Sequence, residues 1–354
     1  MQIDFHHGVT YVAARLAGFS HRQASTVAYC AQYVDDATNS GVIRFDTEAM
    51  YYRISSAHKM LDYRNFKALA NHRVWIPFHF LPGNDGRPAG ENPKAPFIKK
   101  IICRPDSHVA RDMIAACIDD RDKRYGLHRL GICMHVYADT WAHQGFAGVN
   151  DKVNEAGRIT GGDGKPAKKL MERLVNFFIG EALPLGHGTV LSYPDLPYLE
   201  WAYTNGRGER IRRNNPRDFL EAAEKMHQAM QRYRAGDPQA ETAPLPDKDK
   251  KKIAQLLRGN KQKDGAKRHR KWLEAIAKGE FSFGAAEVNY VPKGKGSWKY
   301  KALGTKEWID DPYEIFKYKD GFVDSDWKHF HDALQAHRFS VVHDILPAYG
   351  ICAA

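Results

Sequence analysis

The side chains best suited to chemistry lie in the stretch Gly131-Ile132-Cys133-Met134-His135-Val136-Tyr137-Ala138-Asp139-Thr140-Trp141-Ala142-His143. His135, Asp139 and His143 are spaced i, i+4, i+8. Four residues turn a helix by about 400°, so the three share one face. Each step rises about 6 Å, which puts the two histidines about 12 Å apart along the axis. One ion cannot easily take all three. Asp139 can instead sit between two ions about 3.5–4 Å apart, with a histidine for each. Imidazole and carboxylate ligands favour zinc, with manganese or iron as alternatives. Met134, Val136, Tyr137 and Trp141 make the surroundings apolar, and ionisable groups on an apolar helix need partners.

One helix cannot complete such a site. Seventeen histidines is a high count, and eleven fall within the first 187 residues. His6 and His7 are adjacent near the N-terminus. Asp35 and Asp36 close an apolar helix. His58 and Asp62 are spaced i, i+4. His187 and Asp195 lie on a Gly- and Pro-rich loop. A lone histidine is more often structural than a ligand, and His72, His79, His108 and His128 are read that way. His79, beside a Pro-rich loop, is the exception to watch.

The order of these pieces resembles the zinc-dependent phospholipase C and P1 nuclease superfamily, in a bacterial branch of it. The resemblance covers about residues 4–200. It implies an all-α enzyme that cleaves phosphate esters with two or three zinc ions. By position, Asp36 or Asp35, His58, His135 and Asp139 would hold one ion. His6 or His7 would share Asp139 for a second. His143, His187 and Asp195 would hold a third. Three departures stand out, the first being a longer gap from Asp36 to His58 than the family pattern has. Three residues, not five, separate Asp139 from His143. The family's N-terminal Trp, which ligates through its free amine, is missing, and Asp4 is the nearest substitute. Metal lowers the pKa of a water towards about 7. Asp139 would then bridge ions, and whichever of Asp35 and Asp36 does not ligate would accept the water proton. The expected activity is a phospholipase C-like phosphodiesterase. A P1-like nuclease on single-stranded nucleic acid and a non-catalytic, metal-stabilised binding protein are the alternatives. A redox di-iron centre would need paired Glu-x-x-His helices, which are not seen.

The elements that must position these residues are mostly helical. Hydrophobic periodicity predicts helices over 9–37 with a break at Gly18-Phe19-Ser20, and over 55–72, 107–123, 127–144, 166–181, 217–234 and 326–347. Pro and Gly mark loops at 77–98 and 184–198. A short strand is expected around Val288, Tyr290 and Val291. The fold class is therefore mainly α, as a multi-helix phospholipase C/P1 nuclease-like domain with long Pro/Gly loops and a basic helical insertion. Three regions follow: a helical metallohydrolase domain at 1–235, a linker and basic helical segment at 236–280, and an aromatic and basic segment with a C-terminal helix at 281–354.

The chain of 354 residues carries a formal charge of +11. Residues 247–272 hold eleven Lys and Arg against three Asp, so +8 of it sits in 26 residues. That segment suits an anionic membrane surface or nucleic acid, and its deletion is expected to leave metal content intact. Mean hydropathy is −0.57, and no run approaches 18 apolar residues, so a transmembrane helix is not expected. Five scattered cysteines without a CxxC pair exclude a disulfide scaffold and a thiolate zinc finger. No signal peptide is recognised, so the chain is expected to be cytoplasmic as made or exported without a cleaved signal. A phospholipase-like site in such a chain suggests a toxin or effector delivered to another cell.

Overall fold

The computed structural model describes residues 1–58, 67–163, 165, 185–307, 311 and 313–353. The chain opens with a π-helical segment, Asp4–Val9, that runs straight into α1 (Thr10–Leu16). Gly18, at φ +91°, breaks the helix. The Ser20 side chain then accepts from the Gln23 backbone while Gln23 caps back, and α2 (His21–Asp36) begins. A hairpin of β1 (Gly41–Phe45) and β2 (Met50–Arg53) follows. Then come α3 (Ala68–Phe78), α4 (Phe97–Ile101), α5 (His108–Asp119) and α6 (Gly126–Ala142). Next are β3 (Ala156–Gly161), β4 (Glu200–Asn205) and β5 (Arg210–Asn214), an antiparallel sheet in that order. The long α7 (Asn215–Ala235) ends on Gly236 in the left-handed region. The chain continues with α8 (Asp247–Gly259), α9 (Gly265–Ala277), α10 (Trp298–Leu303), β6 (Ile315–Phe316) and α11 (Asp326–Phe339), then a second π-helical segment, Ser340–Ile345, and a last helical turn, Leu346–Ala348. β6 lies parallel to β1 and completes a sheet of order β2-β1-β6.

The architecture is thus mostly α, with two small sheets. α6 is buried along nearly its whole length, which fits its all-round apolar sequence. α2 packs against it closely because position 131 is glycine: a Cβ there would run into the Cys30 side chain and the Val27 carbonyl. The largest core gathers the opening segment, α1, α5, α6 and α7 with Ile253, Leu257, Trp272 and Ile276 from the basic stretch. That core runs without interruption across 235/236 and 280/281. An aromatic core of Tyr29, Tyr33, Trp298, Trp327 and Phe330 lies on the other side of α2. A third, of Phe80, Phe146, Trp201 and Tyr203, lies under the antiparallel sheet.

Several expectations change. Residues 55–58 are not helical, residues 59–66 of the helix expected at 55–72 lie outside the described residues, and among the described residues the next helix starts at Ala68. Residues 288–291 form no strand. Side chains pin them instead, through Tyr29 Oη donating to the Val291 carbonyl at 2.5 Å. The strands fall where turn residues follow polar alternation, and the aromatic stretch belongs to the core. The helix expected at 166–181 and Asp62 lie outside the described residues. Among the described residues no helix is long and apolar enough to cross a membrane.

Candidate metal centre

Helix α6 delivers His135 and Asp139 on one face, and His143 as the residue that caps its end. The end itself is held from outside. Arg213, buried on β5, donates to the carbonyls of Trp141 at 2.8 Å and Ala142 at 3.1 Å, and its other side meets Asp218. A cation on the last carbonyls of a helix is favourable by charge and by hydrogen bonding. A lone arginine in a strand carries no motif, so only the fold reveals this role.

Asp139 is fully buried at the centre of the cluster. Its Oδ1 lies 2.6 Å from the α-amine of Met1 and 3.3 Å from His6 Nε2. Its Oδ2 lies 3.3 Å from His135 Nε2 and 3.4 Å from His79 Nδ1. Asp35 Oδ1 stands 3.9 Å from both His79 Nδ1 and His135 Nε2. On the far side, His143 Nε2 is 3.9 Å and His187 Nε2 is 3.7 Å from Asp195. The Met1 amine, 3.3 Å from Asp195, links the two halves. Ligand atoms gather within 4.8 Å of one another in three sets: His6, Asp35 and His135; His79, His135 and Asp139; His143, His187 and Asp195.

The tautomers are set by backbone carbonyls. His135 Nδ1 donates to Ala31 O at 2.6 Å, and His79 Nε2 to Ser56 O at 2.8 Å. His143 Nδ1 donates to His79 O at 2.7 Å, and His187 Nδ1 to Leu191 O at 2.8 Å. A carbonyl only accepts, so each of those nitrogens carries the proton. In the neutral ring the other nitrogen presents a lone pair, and in all four histidines that nitrogen faces a carboxylate of the cluster. This is how metal-ligating histidines are oriented.

Electrostatics agree for some of the rings, but at His135 the Asp139 and Asp35 carboxylates outweigh burial and raise the pKa, and its Nε2 lies 3.2 Å from His79 Nδ1. Burial pushes His143 well below the usual imidazole range, and His6 down to about 4. Both are therefore neutral near pH 7. Burial alone would raise Asp139, but His143, the Met1 amine, His135 and His6 hold it well below the usual carboxylate range. Burial would lower the amine, yet the carboxylates facing it raise it to about 11. His6 Nδ1 has no hydrogen-bond partner, and His6 Nε2 and Asp195 Oδ1 face Asp139 and the Met1 amine without a well-formed hydrogen bond. Buried orphans of this kind are costly. A divalent cation bound by lone-pair nitrogens and carboxylates would satisfy them, so the donor set fits zinc or a similar ion.

The structure sorts the candidate residues. It gathers His6, Asp35, His135, Asp139, His143, His187 and Asp195. It turns His7 away, with Nδ1 2.8 Å from His269 Nε2. Asp36 is also turned away: its Oδ2 accepts from Tyr290 at 2.5 Å and Gln32 at 3.2 Å, and burial raises its pKa. His58 lies against Trp75, ring centroids 6.1 Å apart, and belongs to none of the three sets. His79 takes the place proposed for it. Asp4 does not face the cluster but is forked by Arg268. The α-amine of Met1 stands there instead.

The chain belongs to DUF6765, a family of unknown function, whose model matches residues 1–345. No curated protein and no solved structure matches it.

Proposed function

We propose that this protein is a metal-dependent hydrolase of phosphate esters, with two or three divalent ions, zinc first, held by the cluster around Asp139. The observation that carries this is the set of four histidines whose protonated nitrogens are fixed on carbonyls and whose free nitrogens converge on Asp139 and Asp195. Asp35, His79, His135 and Asp139 would hold one ion, and His6 and Asp139 a second. His143, His187 and Asp195 would hold another. Bound ions supply a water of lowered pKa and neutralise charge on a phosphoryl group. Asp35 has a side chain 32% exposed at the edge of the cluster, and it can accept a proton from an attacking water. Phe80 stacks on the His143 ring at 4.4 Å and Trp75 packs near His79 at 4.9 Å, walling the ligands with apolar surface.

The likeness to zinc-dependent phospholipase C and P1 nuclease supports a phosphodiester substrate. The exposed sides of α8 and α9 carry Lys248, Lys251, Arg258, Lys267, Arg270 and Lys271. Such a surface attracts phosphate-bearing partners and is weakened by salt. A phosphatidylcholine bilayer is the favoured substrate. The test is turnover of phosphatidylcholine vesicles and of single-stranded DNA by zinc-loaded and chelated protein. Zinc-dependent release of phosphocholine is expected. Zinc-dependent DNA cleavage alone would move the assignment to a nuclease, and no turnover of either by metal-loaded protein would contradict it.

A further inference from the structure

By its charge the basic stretch 247–272 is a separable appendage whose loss should spare the metal centre. The contacts of α9 argue against that. Arg268 is almost fully buried and forks onto Asp4, Nε to Oδ2 at 2.6 Å and Nη2 to Oδ1 at 2.9 Å. Its Nη2 also reaches Gln2 Oε1 at 2.8 Å. Its Nη1 is anchored on the carbonyls of Gln262 and Lys263 at 2.7 and 3.0 Å. The next residue, His269, meets His7. Four residues after Arg268, the Trp272 Cβ sits so near Gly8 that a Cβ there would lie 2.9 Å from it. Helix α9 therefore grips Gln2, Asp4, His7 and Gly8 from outside.

The residues between them face inward. Phe5 meets Phe219 edge-on at 5.2 Å. His6 stacks on His135 at 3.8 Å and points Nε2 at Asp139. A π-helical turn is the less common register and is frequent at functional sites, although Ser340–Ile345 near the C-terminus adopts it as well. If Asp4–Val9 relaxed to α-helical register, Asp4 and His6 would turn relative to each other. One of them would then lose its partner.

We propose that Arg268, by forking onto Asp4, is a positioning residue of the metal centre that sets the register of the opening segment and so holds His6 against Asp139. This rests on the metal-centre reading above. It assigns the basic stretch a part in assembling one side of the centre, the His6 side. The His143, His187 and Asp195 side meets the opening segment through the Met1 amine rather than through Asp4 or His6.

The test is zinc titration of the full-length chain, with cobalt absorption as the spectroscopic readout of each ion. Arg268→Gln and His6→Ala should each weaken the same ion by about 10- to 100-fold, the usual effect of losing a residue that orients a ligand. The ion at His143 should be unchanged. The double variant should bind no more weakly than His6→Ala, because both changes remove one interaction. Arg268→Lys keeps the charge without the fork and should fall between wild type and Arg268→Gln. It replaces Arg268→Gln in the cycle if circular dichroism shows that variant unfolded. Wild-type affinity for every ion in a folded Arg268 variant would overturn the proposal, as would additive effects in the double variant. Wild-type protein that binds no zinc would instead overturn the metal-centre reading itself.

Discussion

At the residue scale, the two neighbouring aspartates at the end of α2 separate into different roles. Asp35 faces His79 and His135, while Asp36 is tied to Tyr290 and Gln32. Asp35→Asn should lower kcat by about 10²- to 10⁴-fold, the usual worth of a proton-transfer group. Asp36→Asn should leave kcat within about tenfold of wild type and mainly reduce stability, by about 1 kcal/mol for a weakened hydrogen bond. Steady-state kinetics on one phosphodiester, with metal content measured for each variant, checks both. Equal losses for the two would contradict the assignment. The sequence shows that carboxylates end this helix, but adjacent positions differ by about 100° around the axis. Which one faces inward depends on how α2 seats on α6. His79 is harder still to read, since it lies just past a helix that ends in Ile76-Pro77-Phe78 and has no spaced partner. By contrast, His135, Asp139 and His143 are legible because one helix carries all three at a spacing that makes them coplanar.

At the element scale, the centre depends on α2 and α6 lying close enough for Ala31 to accept from His135. Gly131 permits this. Gly131→Ala would press a Cβ into the Val27 carbonyl and Cys30, and backbone cannot move aside cheaply. Overpacking of this kind costs about 1–3 kcal/mol. Urea unfolding of the variant should show a lower midpoint with an unchanged slope, together with weaker metal binding. A midpoint equal to wild type would mean that the helices are not held at that distance. Helix positions were largely legible from periodicity, as in α1 and α2, where Gly18 and Ser20 mark the break and the cap. No strand forms at 288–291, because β-branched and aromatic residues also serve a buried, irregular segment. The basic stretch is legible in the sequence by its charge and by a partial apolar stripe, together the pattern of a basic amphipathic helix. Its apolar stripe of Ile253, Leu257, Trp272 and Ile276 is what ties it to the core.

At the scale of the whole molecule, burial also lowers the pKa of imidazoles outside the metal centre. His337 is buried, with Nε2 donating to the Pro77 carbonyl at 3.0 Å, and burial lowers its pKa to about 3. The unfolded chain would protonate the same ring near 6.5. Between about pH 6.5 and 3 the unfolded state binds more protons, so stability is full above this window and falls as pH drops through it. Each pH unit below 6.5 should remove about 1.4 kcal/mol for such a group. Chemical unfolding between pH 7 and 4 should therefore show a smaller loss in His337→Gln than in wild type. An unchanged slope would contradict a neutral His337. Helix α6 runs through the largest core, and its Asp139 is an almost fully enclosed carboxylate. The most direct measurement is the number of zinc equivalents bound per chain by purified wild type and Asp139→Ala after dialysis against zinc. Two or three equivalents for wild type, with at least one lost and phosphodiester turnover abolished in Asp139→Ala, is the predicted result. A wild type without stoichiometric metal, or an Asp139→Ala protein that keeps both its metal and its activity, would contradict the account.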